Sequence, residues 1–428
     1  MKRFPFLIVV VVVLSGEVVR GQINRDLVIG QAEATPAPSD SFFDDTVLHD
    51  ISLSVNSKDW RALKDHYLDD TYYPCDFRWR DQVLRNVGIR SRGTGSRSGV
   101  KPGLRVDFNR YTSKQSFLGL KSFVLRNNTQ DASSLHERLS MLLFHRMNIP
   151  ASREAHTRLF INNQYAGLYL IVEAVDQDFL KRTFAEDGGY LYKYDYPADS
   201  APYYFEDRGS DAKSYVPLPF KPETHDTDPR PEFLVDLVQT INQTGDAAFR
   251  STMTAYLDLT KFIRHLAVEK FLSDQDGLLS DYGGMNNFYF YRFDNQKLFA
   301  FIEWDKSEAF KGGVEYPIFH NITDVPAAQR NRLLSRALSY RDLYDLYLDT
   351  LIECVKSANE VEAGSADPRG WLEREVERES NQIRGAALSD PERNFSNDEF
   401  EQAIRDLTAF AQQRGAFVTG QANAARVP

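Results

Sequence analysis

Oxygen-bearing side chains gather in one stretch, Ser273–Phe310, which reads SDQDGLLSDYGGMNNFYFYRFDNQKLFAFIEWDKSEAF. An acidic, Gly-rich loop carries Asp274, Asp276, Asp281, Asn286 and Asn287. Two aromatic, apolar runs follow, Phe288–Phe293 and Leu298–Trp304, and Asp305 stands directly after the second. The runs are separated by Asp294-Asn295-Gln296-Lys297, and β-favouring residues on both sides of a short polar turn predict a hairpin. A hairpin returns to the end it left, so the Asp/Asn loop and Asp305 belong at the same end. Carboxylate and amide oxygens converging there suit a hard dication such as Mg²⁺, and a Mg²⁺-nucleotide site for phosphoryl transfer uses the same parts. The local alternative is structural: Asp276 and Asp281 capping Gly turns, Asp305 capping a strand end, and Trp304 in the core.

A second stretch, Ile89–Phe108, reads IRSRGTGSRSGVKPGLRVDF. A strand ends near Arg92-Gly93, and another begins at Leu104. Between them Gly95, Ser96, Ser98 and Gly99 would let backbone N–H groups approach an anion, with Arg92, Arg97 and Lys101 adding charge. A solvated hairpin loop has the same composition. Glu173, at the end of an apolar run, is either a surface charge or the interior partner of a cation.

The elements that must carry these residues alternate between strand and helix. Strands are expected over Thr46–Val55, Phe77–Arg85, Val87–Arg92, Leu104–Phe108, Phe117–Asn128, Thr157–Asn162 and Ala166–Val172, and helices over Ser57–Asp69, Asp131–Asn148 and Asp176–Thr183. Tyr190–Pro229, rich in Tyr, Pro, Asp and Ser, reads as an irregular insertion. Further helices are expected over Glu232–Asn242, Asp246–Tyr256, Leu259–Leu272, Ala327–Lys356, Trp371–Ala387 and Asn397–Gln413.

The chain has 428 residues and a net charge of −10, a poor match to sequence-independent nucleic-acid binding, which needs a cationic face. Lys2 and Arg3 precede the apolar run Phe4–Leu14, and small and polar residues follow to Gly21, the form of a signal peptide. A secreted protein with no stable membrane span after cleavage is the expectation, with residues 22–45 as a flexible leader. The two cysteines, Cys75 and Cys354, are too few for a disulfide framework. Neither G-x-S-x-G nor H-E-x-x-H occurs.

Four blocks in this order resemble the spore-coat protein H (CotH) kinase family: Ile89–Phe108; FLGLKSFVLRNNTQDASSLHERLSMLLFHRMNIPAS; RLFINNQYAGLYLIVEAVDQDFL; and DGLLSDYGGMNNFYFYRFDNQKLFAFIEWDKSEAF. The resemblance implies an α+β, diverged protein-kinase-like fold with antiparallel sheets, a central catalytic hairpin and flanking helices. Its kinase-like domain would run over 46–356, with 190–230 inserted and 357–428 as a C-terminal helical extension. It also implies ATP and Mg²⁺ as cofactors and phosphorylation of Ser/Thr on a protein substrate at a surface or envelope. By this likeness Lys101 contacts phosphate and pairs with Glu173, with Arg92 and Trp304 in the nucleotide-binding set. Asp276 is the catalytic aspartate, and Asp281 rivals it, because the Asp281–Asn286 step is the one found in ordinary kinases. Asn287 and Asp305 hold the metal. Ser307 stands where the family often has a second Asp, and Pro102 where a second basic residue is common. A non-catalytic binding protein of the same fold, or an AMP-transferring one, are the alternatives.

Overall fold

Inward-facing apolar residues at every second position close the first half of the chain into a barrel. The computed structural model describes residues 37–195 and 202–426. Strand β1 (His49–Val55) buries Ile51, Leu53 and Val55 and turns the intervening residues outward, the period-two pattern of a half-buried strand. Helix α1 (Ser57–Asp65) follows, capped by Asn56, whose side chain accepts the Lys58 N–H. Strands β2 (Tyr73–Trp79), β3 (Gln82–Ser91), β4 (Leu104–Asp107) and β5 (Ser122–Arg126) form an antiparallel meander. After helix α2 (His136–Arg146) come β6 (Glu154–Ile161) and β7 (Gln164–Glu173). The order β1-β2-β3-β4-β5-β7-β6 closes with β1 parallel to β6.

Phe42, Phe77, Phe108, Phe117 and Phe123 fill the barrel, with ring centroids 4.9–6.4 Å apart. Aromatic pairs at such spacing add about 0.5–1.5 kcal/mol each beyond their area burial. Phe42 corrects the expected leader. The signal segment 1–21 and residues 22–36 lie outside the described residues. Pro38–Phe42, however, forms a 3₁₀ turn that delivers Phe42 into the barrel core, and Asp45 is bonded by Arg138. Residues 37–45 are therefore not a flexible leader, because an apolar ring has a place to be buried.

Helix α3 (Gln177–Phe184) begins as expected, with Asp176 accepting the N–H groups of Asp178 and Phe179. The segment expected as an irregular insertion instead contributes β8 (Tyr190–Tyr194) and β9 (Phe220–Pro222). Helices α4 (Glu232–Gln243), α5 (Asp246–Met253) and α6 (Leu259–Phe271) lead to the hairpin β10 (Phe288–Arg292) and β11 (Phe299–Glu303). The second sheet has the order β11-β10-β8-β9, so β8 is a partner of the hairpin and not a flap outside it.

The helix expected over Ala327–Lys356 is divided into α7 (Arg332–Ala337) and α8 (Arg341–Ala358). Helices α9 (Trp371–Leu388) and α10 (Asn397–Arg426) bury Leu372, Val376, Ile383, Phe400 and Leu407 in the same core as α2, α6 and α8. Arg414 of α10 is fully buried, and its guanidinium donates to the carbonyls of Phe271, Lys270, Val314 and Tyr316 at 2.6–3.0 Å. The C-terminal helices are thus part of the core, not an extension from it. Cys75 and Cys354 are both free, one in the barrel core and one among the helices. The architecture is mixed α+β.

Candidate active site

The hairpin register sets the site. Phe288 pairs with Glu303, so Asn287 and Trp304 are the first residues beyond the ladder, and Asp305 is the next. Asn287 (φ 54°) and Asp305 (φ 53°) both lie in the left-handed region, which is uncommon for non-glycine residues and turns the chain sharply. Asp276 reaches the same end from the loop after α6. Asn286 Nδ2 donates to both of its carboxylate oxygens at 3.0 Å, Asn287 Nδ2 donates to Oδ2 at 3.1 Å and to its carbonyl at 2.9 Å, and Ser280 Oγ donates to Oδ1 at 2.8 Å.

Asp305 and Asp276 are tuned in opposite directions. Burial pushes the Asp305 carboxyl up, but the charge and hydrogen bond of Arg126, the Ser307 hydroxyl and the charge of Arg92 outweigh it and hold it at about 2. Arg126 Nη1 is 2.8 Å from Asp305 Oδ1, and Ser307 Oγ donates to the same oxygen at 2.9 Å. Oδ2 takes no hydrogen bond among the described residues. For Asp276, burial wins over the donors Asn286 and Ser280; with the Asp305 charge adding to it, the carboxyl rises to about 6.

Arg126 belongs to β5, all of whose residues are buried. Its other nitrogen, Nη2, lies 3.1 Å from Oε1 of Glu137 on α2. Arg126 and Arg92 lie 5.4 Å and 5.3 Å from the Trp304 ring centroid, a cation–π arrangement. Arg92 makes no side-chain hydrogen bond or ion pair among the described residues. Burial, then the repulsion of Arg126, lowers its pKa to about 10, against the opposing charge of Asp305.

The remaining candidates lie elsewhere. Lys101 does not pair with Glu173. Its Nζ donates to Asp390 Oδ2 at 2.6 Å and to the Leu168 carbonyl at 2.9 Å. A Cβ on Gly167 would stand 2.5 Å from Asp390 Oδ1, so glycine admits this contact. Glu173 is held by Arg153 at 2.7 Å and Arg182 at 2.6 Å. Burial would raise its pKa, and the two arginines lower it instead. Asp281 accepts from Tyr316 Oη at 2.9 Å and Asn321 Nδ2 at 2.8 Å and is 2.9 Å from His320 Nε2. It shares no partner with Asp276. The Asn286 that stands five positions after Asp281 turns to Asp276.

Asp276, Arg92, Trp304, Asn287 and Asp305 therefore come together, and Lys101, Glu173 and Asp281 do not. These are residue types that a hard dication takes: Asp305 keeps one oxygen without a hydrogen bond among the described residues, and the Asp276 carboxyl, bonded by Asn287, feels its charge.

The family model described as CotH kinase protein matches residues 89–418, more than half of the chain. The chain belongs to this CotH kinase family. Its relative inner spore coat protein H of Bacillus subtilis (strain 168) is 24% identical over 367 residues, covering 86% of this chain and 95% of that protein. A crystal structure of the Helicobacter pylori proinflammatory kinase CtkA covers 79% of this chain at 9% identity, with a TM-score of 0.29. Membership makes this a kinase-like protein, for which ATP and a divalent metal are the usual requirements. No helix among the described residues is long and apolar enough to cross a membrane.

Sequence reasoning missed Arg126, Glu137 and Ser280. Arg126 did leave a trace: a charged residue closing the apolar run SFVL, on a strand that helices and a second sheet go on to bury.

Proposed function

We propose that this CotH-family protein transfers the γ-phosphoryl group of ATP to a Ser or Thr hydroxyl of a protein, with Mg²⁺, outside the cytoplasm. The observation that carries the reading is the meeting of Asp276, Asn287 and Asp305 at one end of the hairpin, with Arg126 holding Asp305 ionised. Asp305 and Asn287 would hold the metal, which when bound neutralises phosphate charge and favours its build-up in the transition state. Arg92 offers its unpaired guanidinium to the phosphates from above Trp304, the part expected of Lys101. Asp276 orients the acceptor hydroxyl and takes its proton as the new P–O bond forms and the bond from the γ-phosphorus to the leaving ADP breaks. A carboxyl raised to about 6 is better suited to accept a proton near neutrality than an ordinary aspartate. Ser307, where the family often has a second Asp, donates to Asp305 and brings no second carboxylate to the metal.

Secretion rests on the Lys2–Gly21 pattern and on the likeness to a spore coat protein. The test is transfer of γ-labelled phosphate from ATP to a generic protein by wild type, Asp276→Ala and Asp305→Ala. Labelling by wild type alone supports the assignment. Equal labelling by all three refutes it, and label from the α-phosphate marks AMP transfer instead.

A further inference from the structure

Lys306 follows Asp305, and both its backbone and its side chain are engaged. Its N–H donates to Glu137 Oε2 of α2 at 2.5 Å. Its fully buried Nζ meets Glu269 Oε1 at 2.8 Å, Asp274 Oδ2 at 2.7 Å and Glu303 Oε1 at 2.9 Å. Two of these carboxylates hold the Asp276 loop. Asp274 Oδ1 accepts the Asp276 N–H at 3.0 Å, and both Glu269 oxygens accept the Leu278 N–H, at 3.1 and 3.0 Å. The fit is close: a Cβ on Gly277 would stand 2.5 Å from Asp274 Oδ2 and 2.6 Å from Glu269 Oε1. His265, Glu269 and Glu303 have the side-chain types of a metal site. The Lys306 ammonium, however, already supplies those two carboxylates with the positive charge that an ion would bring.

No hydrogen bond among the described residues joins the side chains of Asp276 and Asp305. Their loops are joined instead through this one ammonium, anchored next to Asp305 and gripping the two carboxylates that hold the backbone around Asp276. We propose that Lys306 is a positioning residue that sets the Asp276 loop against Asp305. The inference rests on the reading of these two aspartates as one site. It requires no contact between Lys306 and substrate, and Lys306, being fully buried, can make none.

Lys306→Met alone leaves three buried carboxylates short of counter-charge, and it is expected to unfold. The informative variant is Lys306→Met with Asp274→Asn, which removes one negative charge along with the positive one. Asp274→Asn alone is the control, because it keeps an oxygen for the Asp276 N–H and keeps Lys306. Amide hydrogen exchange and the kinetics of label transfer are read together. The double variant is expected to exchange faster at Asp276 and Leu278. Its kcat is expected to fall by about 10–100-fold, a loss of the size seen when the group that orients a functional side chain is removed, with the KM for nucleotide little changed. A folded double variant with wild-type exchange in this loop and wild-type kcat would overturn the proposal. If wild type transfers no label at all, the kinase reading fails, and the exchange rates still decide the role of Lys306.

Discussion

Replacing Arg126 by Met strips Asp305 of the cation 2.8 Å away and Glu137 of the one 3.1 Å away. The lowering of the Asp305 carboxyl from 3.8 to about 2, at ~1.4 kcal/mol per tenfold, is worth roughly 2–3 kcal/mol. Burial opposes the lowering, so the combined pull of Arg126, Ser307 and Arg92 exceeds that net figure. Removing one partner from a buried ion pair typically costs about 3–5 kcal/mol, and Arg126→Met is expected to fall in that range by urea unfolding at pH 7 with EDTA present. The pH dependence has a definite sign. A carboxyl depressed in the folded state contributes its full stability above its unfolded pKa and loses it as the pH falls through the folded one. The Asp305 share of the gap between wild type and Arg126→Met should therefore be complete above about pH 4 and narrow toward about pH 2. A gap below about 1 kcal/mol at pH 7, the worth of a surface pair, would refute the reasoning, as would a gap that does not change with pH.

Lys101→Met and Asp390→Asn should each destabilise the fold by about 3–5 kcal/mol in urea, while whatever remains folded keeps the wild-type kcat; loss of transfer without loss of stability would return Lys101 to the site. Asp281→Asn should leave label transfer near wild type, because Tyr316 and Asn321 hold it apart from Asp276; a loss as deep as that of Asp276→Asn would make it the catalytic residue. Truncation after Ala358 should give no cooperatively unfolding protein, since it removes Arg414 and the buried faces of α9 and α10; a cooperative melt of the shortened chain would restore these helices to an appendage.

The hairpin was legible because its signal is local. The aromatic runs and the four-residue turn set the register, and the register puts Asn287 and Asp305 at one end whatever the rest of the chain does. Asp276 was singled out by the family resemblance, since an Asp-Gly step by itself reads equally as a turn cap. The cations were not legible, because their partners are distant in sequence. Lys101 meets Asp390, which lies beyond α9, and Arg126 meets Asp305, which lies beyond β11, only in the folded chain. A charged residue in a Gly/Ser loop looks free to reach a phosphate, while an arginine at the end of a strand looks like a surface residue, and tertiary packing reverses both. Strands β8 and β9 went unread because they span only five and three residues amid Pro and Asp. What makes β8 a strand is pairing with β10, which lies far along the chain, and β9 in turn pairs with β8.

The most direct measurement is the anomalous density of Mn²⁺ in crystals grown with a non-hydrolysable ATP analogue. A peak with Asp305 Oδ2 and the Asn287 side-chain oxygen as ligands, about 2.0–2.3 Å away, is the expected result, with Arg92 against the phosphates and Asp276 alongside. A peak at Asp281 and His320, or bound nucleotide beside Lys101 and Asp390 with no metal at Asp305, would contradict it.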